Sequence, residues 1–89
     1  MRNIRFSKSL ERTLGKLESK DKVLYWALLS KIEEIASSPD LDNYKNLKYG
    51  LSNFKRIHIN SFVLLFRYNP SEHLVYFVDF DHHDTIYER

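Results

Sequence analysis

The chain has 89 residues, a length typical of a single domain, which we place over residues 1–89. It contains no cysteine, which excludes disulfides, thiolate catalysis and Cys-based zinc sites and favours a reducing compartment, so we expect a cytoplasmic protein. The longest unbroken apolar run, residues 62–66, is far shorter than the ~20 residues that span a bilayer, so no membrane partner is expected.

Charge is distributed unevenly along the chain. The formal net charge is only +2, from 14 Lys and Arg against 12 Asp and Glu. Residues 43–71 nevertheless hold basic side chains and no carboxylate, whereas residues 72–89 are predominantly acidic. An acid-free basic stretch in a chain this rich in carboxylates is typical of either a phosphate-binding surface or a solvated basic face.

Two helices are predicted after a short N-terminal strand. Residues 2–6 alternate weakly as a strand does, and Ser7 can cap a helix over 8–18. Ser19 is the expected N-cap of a second helix, over 20–37, which ends just before a proline. Each helix carries one apolar stripe: Leu10, Leu14 and Leu17 on the first, and Leu24, Leu28, Ile32 and Ile35 on the second. The short connection predicts an antiparallel helical hairpin.

After a polar, loop-like stretch over 40–52, the hydrophobic period changes from 3.6 to 2. Three β-rich runs follow, over 54–59, 62–68 and 74–80. The gap Asn60–Ser61 has the length of a tight hairpin, and the next gap contains a proline preset for a turn. We therefore predict an α+β fold: an N-terminal strand, an antiparallel helical hairpin and a three-strand antiparallel meander (β-α-α-β-β-β), with the helices on one face of the sheet.

Strand alternation separates the side chains into two faces. Ile57 and Ile59 are expected to face the helices, which places Arg56 and His58 together on the other face. That second face has too few apolar residues for a second core, which favours a functional role for this pair. If residues 79–87 stay extended, one side carries Asp79, Asp81, His83, Thr85 and Tyr87.

The ordered set of short motifs resembles the RelE/ParE toxin superfamily, and in particular the RelE/YoeB-type mRNA interferases of type II toxin–antitoxin systems. The resemblance covers nearly the whole chain. It rests on the RelE-like element order and on four segments: Leu47-Lys48-x-Gly50, Arg56-Ile57-His58-Ile59, residues 62–66, and His82-His83-Asp84-Thr85-Ile86-Tyr87.

The resemblance implies a ribosome-dependent endoribonuclease that drives a ribose 2′-OH onto the adjacent phosphate and is held inactive by a cognate antitoxin. The family's basic strand pair falls on Arg56 and His58, and its next catalytic Arg falls on Val63. The family's C-terminal pattern falls on His82, His83 and Tyr87, with His83 where Arg is common; YoeB-like members end instead with a catalytic His-Tyr pair. The implied partners are mRNA on the ribosome, with contacts to 16S rRNA, and the antitoxin.

The candidate catalytic set is Arg56, His58, His83 and Tyr87. Such a reaction needs a base, an acid and positive charge at the phosphorane. Arg56 can offer a bidentate fork to phosphate, His58 and His83 can exchange protons near neutral pH, and Tyr87 can orient the substrate. The basic residues expected to follow the RNA backbone are Lys45, Lys48, Lys55 and Arg67.

No cofactor or metal is expected, because the adjacent His82 and His83 point oppositely on a strand and cannot readily hold one ion. Three alternatives stay open. The chain could be a ParE-like toxin that binds DNA gyrase, a RelE-fold protein that has lost nuclease activity, or an RNA-binding module without catalysis.

Overall fold

The fold is a mixed five-stranded sheet with two helices on one face. The computed structural model describes residues 1–41, 45–46 and 54–87, with the side chains of 45, 46 and 87 outside the description. The strands are β1 (Asn3–Phe6), β2 (Lys45–Asn46), β3 (Lys55–Ile59), β4 (Phe62–Asn69) and β5 (Leu74–His82), and the helices are α1 (Lys8–Lys20), α2 (Lys22–Ser37) and α3 (His83–Tyr87). The sheet order is β1-β5-β4-β3-β2, with β1 parallel to β5 and the other pairs antiparallel. The predicted α+β class and the meander of β3, β4 and β5 are confirmed.

The helical hairpin is tighter than predicted. Ser7 caps α1 as expected, its Oγ accepting from the Leu10 amide at 3.0 Å. Asp21 alone joins the two helices: its N–H donates to the Leu17 carbonyl at 2.9 Å, and its Oδ1 accepts from the Leu24 amide at 3.1 Å. The predicted cap Ser19 is therefore wrong, since Ser19 lies inside α1, and a carboxylate at a non-helical residue performs the capping instead.

Turn chemistry fixes the meander. Asn60 takes a left-handed conformation (φ 56°) in the two-residue turn between β3 and β4, a conformation that Asn tolerates well. Between β4 and β5, the Asn69 side chain accepts from the amides of Ser71 and Glu72, and Pro70 begins a single 3₁₀ turn. Both predicted turns are confirmed.

The main core lies between the helices and the sheet. It is built from the helical stripes and from alternate residues of the strands. Its buried members include Leu10, Leu28 and Ile35 from the helices and Leu64, Phe66, Val75 and Phe77 from the sheet. β4 is the central strand, and its residues 63–66 are buried on both faces, as the uninterrupted apolar run predicts.

Two expectations about the second face of the sheet are wrong. The chain does not stay extended to residue 87, because β5 ends at His82 and α3 begins at His83. The second face also carries a small core of its own, in which Val63, Leu65 and Ile86 are buried and Phe54 and Val78 are partly buried. The two corrections have one cause, because α3 turns Ile86 back onto the sheet and covers its apolar residues. None of the helices described is long and apolar enough to cross a membrane.

Candidate functional site

Arg56 and His58 lie on the second face of the sheet, as alternation predicts. Ile57 and Ile59 between and after them pack into the main core. In the register, Arg56 lies opposite Leu65 of β4, and His58 lies opposite Val63. Both opposing residues belong to the small core under α3, so the two polar side chains border that core.

The rings of His58 and His83 lie close together in a tilted arrangement, with ring centroids 5.3 Å apart and planes inclined by 31°. The two rings come from different elements, one from β3 and one from the first residue of α3. Both side chains are exposed, and that of His83 is 47% accessible. A solvent-facing pair of imidazoles can accept one proton and supply another within the same small volume.

The hairpin turn and its neighbours hold the start of α3 in place. The His83 N–H donates to the Ser61 carbonyl at 2.8 Å, which ties α3 to the turn that follows β3. The Asp84 N–H donates to Nδ1 of His82 at 3.3 Å, and the His82 ring lies edge-on against Phe62 at 5.6 Å. His83 is therefore positioned by backbone and side-chain contacts on both sides of the chain reversal.

Asp84 is the carboxylate closest in sequence to the histidine pair. Its Oδ1 lies 3.4 Å from Nδ1 of His83, and its Oδ2 lies 3.9 Å from Nδ1 of His82. The Asp84 side chain is 75% exposed, so water screens these pairings. A carboxylate at this position can orient the His83 ring while leaving its other nitrogen directed elsewhere.

Two further carboxylates, Asp79 and Asp81 of β5, lie in line across the sheet with Arg56 and His58 of β3. Asp79 lies opposite Leu65 and therefore in the row of Arg56, and Asp81 lies opposite Val63 in the row of His58. Two strand spacings separate the backbones within each row, a distance of about 10 Å. Each carboxylate also accepts from the next backbone amide, at 2.9 Å for Asp79 and 2.7 Å for Asp81.

Val63, at the position where the resembled family has a catalytic Arg, is fully buried. Its exposure is 0%, and it packs with Leu65 and Ile86. Arg56 is half-buried, and its Nε atom is shielded from solvent. The basic character at this end of the face therefore comes from Arg56 and the histidines, and Val63 anchors α3.

The remaining predicted residues are only partly brought together. Arg67 lies exposed on the second face, its guanidinium 5.4 Å from the centroid of the Phe54 ring. Lys55 alternates onto the helix face with Ile57, away from Arg56. Lys45 lies opposite Arg56 in the β2–β3 register, and Tyr87 ends α3, with both side chains outside the description. Lys48 lies outside the described residues.

Sequence reasoning missed the supporting role of Ile86. The only signal around it is the spacing of three residues between His83 and Ile86, which on a helix would place both side chains on one face. Among the described residues, no group of three or more His, Asp or Glu side chains has the geometry to hold a metal ion.

The fold is that of RelE/YoeB toxins. The chain superposes on the toxin–antitoxin complex RelBE2 from Mycobacterium tuberculosis with a TM-score of 0.74 and 22% identity, covering 91% of this chain and 96% of that one. It superposes on the YoeB-YefM complex from Staphylococcus aureus with the same TM-score of 0.74 at 13% identity, covering 93% and 98%. These likenesses define the class of fold.

Sequence similarity defines the family. The chain is 47% identical over 90 residues to a protein of Methanocaldococcus jannaschii named "Putative toxin RelE4", covering 100% of this chain and 94% of that protein. A second relative, an uncharacterized protein of Methanosarcina mazei, is 36% identical over 85 residues. No family model matches the sequence. The chain belongs to the RelE family of toxins.

Proposed function

We propose that this toxin is a ribosome-dependent mRNA endoribonuclease that inhibits translation in the cytoplasm. The observation that carries the proposal is the close pair of His58 and His83, with ring centroids 5.3 Å apart, on the same sheet face as Arg56. Two proton-exchanging rings beside a guanidinium supply the three functions that internal phosphodiester cleavage requires.

The reaction proceeds by attack of a ribose 2′-oxygen on the adjacent phosphorus. One histidine takes the 2′-hydroxyl proton as the new P–O bond forms, and the other gives a proton to the departing 5′-oxygen as the old P–O bond breaks. The products are a 2′,3′-cyclic phosphate and a 5′-hydroxyl, with no change of oxidation state. Arg56 stabilises the charge of the phosphorane, and Tyr87 orients the substrate.

The mRNA follows the second face of the sheet. Arg67 binds the RNA backbone there, and Lys45, at the strand position opposite Arg56, extends the basic path towards β2. Lys48 and Lys55 contribute further basic charge to RNA binding, and 16S rRNA completes the site on the ribosome. Asp79 and Asp81 repel phosphate, so beside the histidine pair the RNA backbone runs on the side of the face nearer to β3.

A cognate antitoxin is the second partner. The solved neighbours include toxin–antitoxin complexes, among them RelBE from Escherichia coli, on which 92% of this chain superposes with a TM-score of 0.72. Around β1 and α2 the chain exposes the apolar side chains of Met1, Ile4 and Trp26, which line one open cavity. Exposed apolar patches of this kind typically mark protein interaction sites, so the antitoxin covers this one.

Cleavage of a reporter mRNA in a purified translation system tests the proposed function. The wild-type protein is expected to cut the message only when ribosomes are present. His58→Ala and His83→Ala should each slow cleavage by about 100-fold or more, since general acid–base catalysis typically contributes that factor. Loss of Arg56 (R56A) should cost a similar factor through lost charge stabilisation.

His73→Ala is the matched control. His73 is exposed at the turn before β5, at the opposite end of that strand from His83, and its removal should leave the cleavage rate unchanged. Intact message with wild-type protein and active ribosomes would contradict the nuclease. If the message stayed intact and the protein blocked DNA supercoiling in a separate gyrase assay, the chain would instead act as a ParE-like toxin does.

A further inference from the structure

A row of arginine and aromatic side chains crosses the second face of the sheet beyond the histidine pair. Tyr76 of β5 lies directly opposite Arg5 of β1 on one side and Arg67 of β4 on the other. The Arg67 guanidinium continues the row to Phe54, 5.4 Å from the ring centroid. None of these residues was part of the predicted site except Arg67.

Alternation fixes the direction of these side chains. Val75 and Phe77 on either side of Tyr76 are fully buried in the main core, so Tyr76 points to the opposite face. The same argument applies to Arg67, whose neighbours Phe66 and Tyr68 pack into that core. Phe6 also packs there, which directs Arg5 to the second face.

The row is accessible to a ligand. Tyr76 is 36% exposed although it lies in the middle of the sheet, and Arg5 and Arg67 are both exposed. An open cavity of about 400 Å³ lies beside the row, lined by residues 67–70 together with Leu74 and Tyr76. Its volume falls in the range of about 300–1000 Å³ that is typical of small-ligand sites.

Charge and shape favour a nucleotide as the occupant. Tyr76 offers a flat aromatic surface, and the backbones of its two arginine neighbours are about 10 Å apart across the sheet. Guanidinium groups bind phosphate and also stack on bases, and aromatic rings stack on any base. An acidic peptide would satisfy the arginines but would leave the ring without a flat partner.

The row is also continuous with the proposed cleavage site. Arg67 and Val63 are four residues apart on β4, so about 13 Å of the same sheet face separates the row from the position opposite His58. A register shift between Leu65 and Phe66 lies between the two. Such irregularities bend a strand and redirect its side chains.

We infer that Arg5, Tyr76 and Arg67 form a base-stacking subsite for single-stranded RNA, adjacent to the histidine pair. That this RNA is mRNA rests on the proposed function. The subsite holds an unpaired nucleotide on Tyr76 while the arginines bind its flanking phosphates. It thereby positions the strand whose cleavage the histidines perform.

Binding of a fluorescent oligouridine of about ten nucleotides to the purified chain at low salt tests the subsite without ribosomes. Tyr76→Ala should weaken binding by about 5- to 100-fold, the usual range for loss of one stacked base, whereas Tyr76→Phe should stay within about twofold because it keeps the ring. Arg5→Ala should lower the slope of log affinity against log salt by about 1.

Two variants on the helix layer serve as matched controls. Arg12→Ala and Lys16→Ala each remove an exposed basic side chain from α1, and neither should change oligouridine binding. A double-stranded RNA of the same length should bind more weakly and should not respond to Tyr76→Ala, because its bases are already stacked.

The outcomes separate this inference from the proposed function. No measurable oligouridine binding, or equal binding by wild type and Tyr76→Ala, would overturn the subsite even if ribosomal cleavage proceeds. Loss of antitoxin binding by Tyr76→Ala with unchanged RNA affinity would also overturn it and would assign the row to a protein. Tyr76-dependent RNA binding without ribosomal cleavage would support the subsite and overturn the nuclease.

Discussion

His58 and His83 come into contact because one turn, Asn60–Ser61, both ends β3 and binds the first residue of α3. The Asn60–Ser61 turn brings β4 back against β3, and the Ser61 carbonyl then accepts from the His83 N–H at 2.8 Å. The turn that ends one strand therefore also fixes the residue that begins α3. Ring contact at 5.3 Å follows from that shared anchor.

Val63 shows how burial can explain a departure from a family pattern. An arginine at this position would place a charge where exposure is 0%, among Leu65 and Ile86. Valine instead contributes to the small core that holds α3, and with it His83, against the sheet. Where the family pattern has a catalytic arginine, this chain therefore has a buried valine that helps to hold His83 in place.

Val63→Arg should destabilise the protein without accelerating cleavage. An uncompensated buried charge typically costs about 3–5 kcal/mol, and the guanidinium could escape only by displacing α3. The free energy of unfolding from urea titration measures the first effect, and the cleavage rate measures the second.

Thr85→Arg provides the comparison for Val63→Arg, because it adds the same charge at an exposed position of α3. Its stability should stay within about 0.5 kcal/mol of wild type. A stable Val63→Arg variant with faster cleavage would mean that this position is a vacant catalytic site rather than part of a core.

At the scale of elements, α3 is the segment on which the candidate site most depends. It has five residues, too few for a helix that is stable by itself, so tertiary contacts must hold it. Those contacts are the burial of Ile86, which is 2% exposed, and the hydrogen bonds at its first turn.

Ile86→Ala should release α3 from the sheet and slow cleavage while leaving the main core intact. The substitution removes apolar contacts with Val63 and Leu65, and Ile→Ala changes in cores typically cost about 2–5 kcal/mol. Amide hydrogen exchange should rise at residues 83–86 and stay unchanged in α2.

Thr85→Ala is the control for this loss, since Thr85 is exposed on the same helix. If Ile86→Ala left both the exchange of α3 and the cleavage rate at wild-type values, the helix would not be what positions His83.

The sequence predicted elements well wherever one face repeats regularly. The leucine stripes of α1 and α2 and the alternation of Ile57 and Ile59 identified the main core because each pattern has a single period. The end of β5 could not be found in this way. Residues 79–86 alternate plausibly as a strand, and only the tertiary partners of Ile86 show that α3 is favoured.

The candidate site could also be predicted only where a local pattern places its residues. Arg56 and His58 follow from strand alternation alone. The contact between His58 and His83 requires the chain reversal at residue 83, and the row of Arg5, Tyr76 and Arg67 requires knowledge that β1 lies beside β5. A strand order in space is not contained in a local pattern.

At the scale of the whole molecule, the sheet separates two chemically different surfaces, for which we propose different partners. The second face carries Arg5, Arg56, Arg67 and the histidine pair, side chains that can bind phosphate. The edge formed by β1 and α2 borders a cavity of about 460 Å³ lined by apolar residues that include Ile4 and Trp26. Because the two surfaces differ chemically, they can be tested separately.

Trp26→Ala should weaken antitoxin binding by at least about tenfold, since truncation of a central interface aromatic commonly costs about 2 kcal/mol. Its side chain is 62% exposed, so folding stability should change little. Isothermal titration with the product of the neighbouring open reading frame measures the affinity. Lys16→Ala on α1 is the control and should bind the antitoxin as the wild type does. Equal affinities of the wild type and Trp26→Ala would mean that the antitoxin binds elsewhere.

The central claim is that the protein cleaves mRNA on the ribosome through internal attack of a 2′-hydroxyl. Its most direct test maps the ends of a single message incubated with the wild-type protein, with and without ribosomes. Internal attack should give new fragments that end in a 2′,3′-cyclic phosphate, paired with fragments that begin in a 5′-hydroxyl, only in the reaction that contains ribosomes. An uncut message in both reactions, or fragments with a 3′-hydroxyl and a 5′-phosphate, would contradict it.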